Sequence, residues 1–395
     1  MVVGALGCVA MPGKSSAERQ ALEAQNARVM AVFEAAGFDH IAPDILQPAD
    51  IFLERSGEDI RANSYVFTDP EGAEMCLRPD LTVPACRYHL AHAARPDSEA
   101  RYCYCGPAFR FTKDARLLSE FGQAGIEWLA AGDAQGSEAQ VLALTIAAVR
   151  AGGLKGFRVK LGDLSLFHAL LDGLEMPRRW RRRLIHHFWR PQTFRETLTR
   201  FAALEDQTRT SISPFVDKVV GKDIGQTQGW VEAELDRGAI PLAGGRSTEE
   251  IATRLVEKAA DRSAHPLAPA AVKAIETYLA IEGNAASVLA PLEAIAGGEA
   301  YRAALKRFRR RIEAMRERGL APEDFAFAAT FGRNLEYYTG FVFQIEADTA
   351  QGPLQVAGGG RYDDLLSDIG SAVPVSAVGC AIGTESLLAA AGARS

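Results

Sequence analysis

Cys105-Gly-Pro-Ala-Phe-Arg110, followed after a polar loop by Phe121-Gly-Gln-Ala-Gly-Ile-Glu127, is the stretch that decides the fold. The patterning predicts one strand over residues 102–111 and a second over 121–130, close enough in sequence to pair antiparallel. Period-2 alternation puts Gln123, Gly125 and Glu127 on one face. A Gln and a Glu flanking a Gly describe a polar floor with room for a small ligand. Arg110, on the partner strand, offers a two-pronged donor for a carboxylate or phosphate. A solvated sheet face is the plainer reading of the same residues.

Working outward from that pair, Ser15 is placed to cap a helix over 17–36 that carries Leu22, Val29, Val32 and Phe33 and stops at Gly37. Residues 64–68 and 75–78 flank a turn at Asp69-Pro-Glu-Gly72 and read as a hairpin. A helix is expected over 83–94, another over 137–150, a strand over 157–163 and a helix over 165–174. From about 175 to 320 the chain becomes rich in Ala, Leu and Arg with helical periodicity, which suggests an inserted helical domain. Strand patterns return at 325–329, 341–346 and 355–357, before a last strand and helix over 378–391. This mixed order implies an α+β fold, not strictly alternating βαβ units.

The 395 residues, 48% hydrophobic and 24% charged, suffice for two or three domains with sizeable cores. A net charge of −6 gives no global pull toward nucleic acid. Residues 1–12 are apolar, lack a charged leading region and are too short to span a bilayer. The expectation is a cytoplasmic protein without membrane contact. Six cysteines are too sparse for a disulfide scaffold, and the seven histidines form no zinc-ligand spacing, so no metal and no cofactor are expected.

Other segments could carry chemistry. In Leu77-Arg-Pro-Asp-Leu-Thr-Val-Pro84 an acid and a hydroxyl stand two residues apart where a strand gives way to a helix, so Asp80 could hold an ammonium and Thr82 hydrogen-bond it; helix capping is the alternative. Phe331-Gly-Arg-Asn-Leu-Glu-Tyr-Tyr-Thr-Gly340 concentrates an arginine, an acid and two phenols at the entrance of a strand, suited to a polar ligand with an aromatic ring or, more plainly, to a packed turn. Gly358-Gly-Gly-Arg-Tyr362 lacks a P-loop lysine and reads as a tight turn. The basic runs at 178–183 and 306–311 could dock an acidic partner or a phosphate, with a solvated helix face the simpler account.

Taken in this order, the segments resemble the class II aminoacyl-tRNA synthetase core, specifically its histidyl-tRNA synthetase branch. Pro43 falls at the family's motif 1 proline, residues 105–127 look like motif 2, and Val378-Gly-Cys-Ala-Ile-Gly383 looks like motif 3. Residues 333–338 and 358–363 are similar to the two histidine-specific motifs. The resemblance implies an antiparallel sheet flanked by helices, with residues 1–175 and 321–395 as the two parts of the core and 176–320 as the helical insertion. It also implies a histidine site formed by Asp80, Thr82, Arg110, Gln123, Glu127, Tyr337 and Tyr338, with Arg333 at the position of the catalytic arginine.

The departures point away from catalysis. Motif 3 normally supplies an arginine for the triphosphate, and Ser386 stands there; Thr112 replaces the usual acid two residues after Arg110. The sequence stops about ten residues past motif 3, so no anticodon-binding domain and no tRNA are expected. A core of this kind resembles the family of regulatory subunits of ATP phosphoribosyltransferase, noncatalytic paralogues that partner a short catalytic subunit in the first step of L-histidine biosynthesis. The resemblance implies L-histidine as ligand and a homodimer inside a hetero-oligomer, a hetero-octamer being one arrangement. The alternative is a truncated synthetase, or a relative that activates histidine with ATP.

Overall fold

A computed structural model describes residues 13–55, 63–112, 118–203, 214–238, 247–263, 265–332, 337–350 and 352–392. The chain divides into two compact units: residues 1–167, 281–294 and 303–395 form the first, and 168–280 with 295–302 the second. The first unit reclaims the chain at Ile281, ahead of the expected return at 321. The cause is a short strand, Glu282–Asn284, that pairs antiparallel with Ala326–Ala328.

The first unit is built on a nine-stranded sheet. Its strands, in chain order, are β1 (Asp39–His40), β5 (Ala100–Phe109), β6 (Glu120–Leu129), β7 (Arg158–Asp163), β8 (Glu282–Asn284), β9 (Ala326–Ala328), β10 (Phe341–Thr349), β11 (Gly352–Arg361) and β12 (Ala377–Gly383). They lie in the order β1-β5-β6-β12-β11-β10-β7-β9-β8. All neighbours are antiparallel except β1 with β5 and β7 with β9, so the sheet is mixed only near its two edges. A smaller sheet holds β2 (Leu46–Pro48), β4 (Glu74–Leu77) and β3 (Val66–Thr68) in that order. Its β3–β4 hairpin closes where Asp69 Oδ1 accepts from the backbone N–H of Glu71 and Ala73 and Gly72 takes a φ of +92°, a conformation that costs glycine little.

The first helix, Ser16–Ala35, starts from a capping box: Glu18 N–H donates to Ser15 Oγ, and Ser15 N–H returns a bond to Glu18 Oε2. Its inner face carries Leu22, Val29, Met30 and Phe33, and Gly37 ends it at a φ of +82°. The helix Ala134–Ala151 begins three residues before the expected 137 because Asp133 caps it, accepting from Gly136 N–H at 2.9 Å. Buried Arg78 donates to the carbonyls of Pro107 and Pro43, tying the loop at Pro43 to β5.

Two expectations are corrected. Gly358, Gly359 and Gly360 are not a turn but the C-terminal part of β11, paired with β10 on one side and β12 on the other. A Cβ at Gly359 would collide with the Gly379 carbonyl and one at Gly360 with the Phe341 carbonyl, so these two glycines serve close backbone approach. The run at 306–311 is not uniformly a surface feature either, since Arg311 is 3% exposed and bonded to acids in the interior.

The second unit is helical. Helices Arg178–His187 and Pro191–Ala203 pack through the stacked rings of Trp180 and Phe201, whose centroids lie 4.3 Å apart. Within the 178–183 run, Arg181 pairs with Asp172 and Arg182 with Glu257, while Trp180 turns inward. The run thus contains an amphipathic helix face, as its spacing allows.

Candidate functional site

β5 and β6 run antiparallel in a register that sets Tyr102 opposite Glu127, Tyr104 opposite Gly125 and Gly106 opposite Gln123. β12 lies on the other side of β6, with Gly379 opposite Glu127 and Ala381 opposite Gly125. Above this floor opens a cavity of about 1260 Å³. Seven of the eight expected site residues line it: Asp80, Thr82, Arg110, Gln123, Glu127, Tyr337 and Tyr338. Arg333 lies outside the described residues.

Each of these side chains is held by a local reason. Helix Thr82–His92 starts with its backbone donors unsatisfied, and two site residues accept from them: Leu81 N–H donates to Gln123 Oε1 at 2.8 Å and Val83 N–H to Asp80 Oδ1 at 3.2 Å. Asp80 therefore serves the helix start with one oxygen only. Its Oδ2 is buried and has no hydrogen-bond partner among the described residues, so a carboxylate oxygen stands ready for a donor from outside the chain. Burial raises the Asp80 pKa, with Arg110 and the backbone N–H groups of Val83 and Thr82 opposing the rise. Arg110 spends its Nε on the Pro79 carbonyl at 2.8 Å and lies 5.3 Å from the centroid of the Phe121 ring.

Glu127 is fully buried, and its environment is phenolic. Tyr104 donates to Oε1 at 2.8 Å and Tyr362 donates to Oε2. Loss of solvent dominates over these donors and pushes its pKa up to about 7. Two glycines make the arrangement possible. A Cβ at Gly125 would come within 2.7 Å of the Tyr104 hydroxyl, and one at Gly379 would overlap Glu127 Oε2. The room above Gly125 is therefore filled by the Tyr104 phenol, not left for a ligand as the sequence suggested. The rings of Tyr337, Tyr338 and Tyr362 complete an aromatic wall, with centroids 4.8 to 6.4 Å apart.

Tyr104 and Tyr362 escaped the sequence reading. The first was visible as soon as the strands were set in register, since a large residue opposite a glycine tends to lie across it. The second sat in a glycine run read as a turn.

The far end of the cavity is different. There β12 passes into helix Thr384–Gly392, and Glu385 and Ser386 face the space. Burial works against the charge of Glu385, yet Gly122 N–H at 2.7 Å, Lys14 at 3.1 Å and the Thr384 hydroxyl at 2.9 Å outweigh it and hold the carboxyl below its usual range. Glu385 is thus an anion. Among the described lining residues Arg110 is the one cation, against three carboxyl groups. The described residues contain no cluster of three or more His, Cys, Asp or Glu able to hold a metal ion, and no helix long and apolar enough to cross a membrane.

The fold and the cavity define a histidyl-tRNA synthetase-like core, and the family model described as histidyl-tRNA synthetase matches residues 15–223 and 244–387. A crystal structure of an ATP phosphoribosyltransferase regulatory subunit/histidyl-tRNA synthetase from Bacillus halodurans C shares the fold, with a TM-score of 0.67 and 20% identity over 96% of this chain and 81% of that one. The ATP phosphoribosyltransferase regulatory subunit of Brucella anthropi is 35% identical over 349 residues, 87% of this chain and 90% of its own. That of Brucella canis is 35% identical over 354 residues, 89% and 92% of the two chains. The chain belongs to the histidyl-tRNA synthetase family and, within it, to the regulatory subunits of ATP phosphoribosyltransferase.

Proposed function

We propose that this regulatory subunit is noncatalytic, that it enables a short catalytic subunit to condense ATP with phosphoribosyl pyrophosphate in the cytoplasm, and that its cavity binds L-histidine as the feedback effector. One observation carries the reading: the unpaired buried oxygen of Asp80 lies in a cavity whose far end holds Glu385 and Ser386. Asp80 takes the ligand ammonium and Arg110 its carboxylate, while Glu127 and the tyrosines take the imidazole. At the other end a triphosphate would meet the Glu385 carboxylate and find Ser386 in place of a cation, so activation of histidine by ATP is disfavoured electrostatically.

Partner binding and histidine binding are linked. If histidine disfavours the active assembly, assembly must weaken histidine binding by the same factor. The subunit acts as a homodimer within a hetero-oligomer, the closed symmetry that paired subunits favour. Histidine is titrated calorimetrically into the chain alone and into its complex with a short catalytic subunit. Weaker binding in the active complex is expected, and equal affinities would remove this cavity as the coupling route. Histidine-dependent exchange of labelled pyrophosphate into ATP should be absent; robust exchange would make histidine activation the function instead.

A further inference from the structure

Beside the cavity lies a buried group of charges that takes no part in ligand contact. Glu138, on helix Ala134–Ala151, is 1% exposed and bridges two arginines: its Oε1 accepts from Arg361 Nε and its Oε2 from Arg311 Nε. Arg311 also donates to Asp163 at 2.6 Å. Arg361 further donates to Asp363 at 2.9 Å, to the Ala134 carbonyl at 2.8 Å and to the Ser137 hydroxyl at 3.3 Å. Charges buried this deeply are costly unless each is paired in a fixed geometry, so the network admits few arrangements of its members.

What that geometry holds is the tyrosine wall. Arg361 and Tyr362 are neighbours, one turned to Glu138 and the other into the cavity, where Tyr362 donates to Glu127. The Arg361 carbonyl accepts from Thr339 N–H at 2.9 Å, next to Tyr337 and Tyr338, and Asp363 N–H donates to the Thr339 hydroxyl at 3.1 Å. Asp363 Oδ1, the partner of Arg361, also accepts from Ala377 N–H at 3.0 Å, fixing the start of β12. Displacing the Arg361 side chain therefore disturbs three tyrosines together.

We propose that Glu138 is a positioning residue: by fixing Arg361 it sets Tyr362, the Glu127 carboxylate and the Tyr337–Tyr338 segment, and so the affinity of the cavity for an imidazole-bearing ligand, although Glu138 touches no ligand. The affinity part rests on the histidine reading above; the placement of the tyrosines does not. Arg311 gives the control, because it shares the carboxylate and the burial but, among the described residues, makes no hydrogen bond to the tyrosine-bearing segments; it reaches them only through the Phe341 ring, 4.9 Å from its guanidinium carbon, a contact with apolar surface that a methionine can keep.

The test compares Glu138→Gln, Ser137→Ala and Arg311→Met in the full chain labelled with 3-fluorotyrosine. Histidine affinity is read by calorimetry, and the Tyr362 ¹⁹F resonance, assigned with Tyr362→Phe, is read without ligand. Glu138→Gln should weaken histidine at least about tenfold and displace or broaden the resonance, and Ser137→Ala should act in the same direction by about two- to threefold. Arg311→Met should lower the melting temperature yet leave affinity within about twofold and the resonance in place. Should Glu138→Gln not fold, Ser137→Ala and Arg311→Met decide between them. An unmoved resonance in the folded Glu138 or Ser137 variant, or equal losses in Arg311→Met, overturns the proposal. A moved resonance in a protein that binds no histidine at all upholds the positioning and overturns the histidine reading instead.

Discussion

The two ends of the cavity handle charge in opposite ways. At the Asp80 end an acid is buried with one oxygen unspent, and Arg110 stands in the same wall. At the Glu385 end the acid is fully engaged by Gly122, Lys14 and Thr384, and Ser386 beside it carries no charge. The first end holds unspent capacity for a zwitterion, the second has used its capacity internally. On the proposed reading, the first end would recognise an amino acid while the second would offer no cation to a triphosphate.

The largest effect that would break this contrast is at the cation. Arg110→Ala should weaken histidine at least about a hundredfold in calorimetry, because a ligand carboxylate would then enter a buried site unpaired. Retained affinity would mean the ligand lies elsewhere. Gly379→Ala drives a methyl into the place of Glu127 Oε2 and should cost about 3 kcal/mol in denaturant unfolding, with histidine binding lost alongside.

Glu127→Gln sharpens the comparison through pH. The folded pKa of Glu127 is raised to about 7 from an ordinary 4.5, so its contribution to stability is full below about 4.5 and is lost as pH rises to 7. The amide does not titrate. The stability of the variant relative to the wild type should therefore improve between pH 5 and pH 8 by on the order of 2 kcal/mol, measured by urea unfolding at both values. A constant difference would show that Glu127 is ionised throughout. The smallest effect is at the other end: Ser386→Arg should raise affinity for ATP about tenfold by supplying a charge-assisted donor, leaving histidine affinity unchanged. No gain would show that a cation at this position does not by itself hold a triphosphate.

Much of the architecture could be read from periodicity. The β5–β6 pair, the β3–β4 hairpin and the Ser15 cap were legible because each rests on local spacing or a local hydrogen bond. That Asp80, Arg110, Gln123 and Glu127 line one cavity became legible once a hairpin register and a family order were combined. Three things resisted. Gly358–Gly360 looks like a turn because glycine alone does not tell close sheet packing from a positive φ. Tyr104 carried no signal of its own and Tyr362 sat in the run read as a turn, since each phenol gains a role only through a carboxylate brought in from another strand. Arg311 lay in a run whose other basic members are not buried, and its long-range partners Glu138 and Asp163 draw it inside.

The sheet that carries the cavity ends at β1 with two residues on one side and at β8 with three on the other. Beyond β1, the outer rim of β5 is covered by loop backbone: Ile41 N–H donates to the Cys103 carbonyl and Phe109 N–H to the Arg78 carbonyl. Long open edges invite further strands to add from other molecules; the β8 edge is only three residues long, and the β1 edge is both short and flanked by backbone that already occupies the β5 rim. At the β1 side the platform is thereby guarded against strand-by-strand addition of further copies.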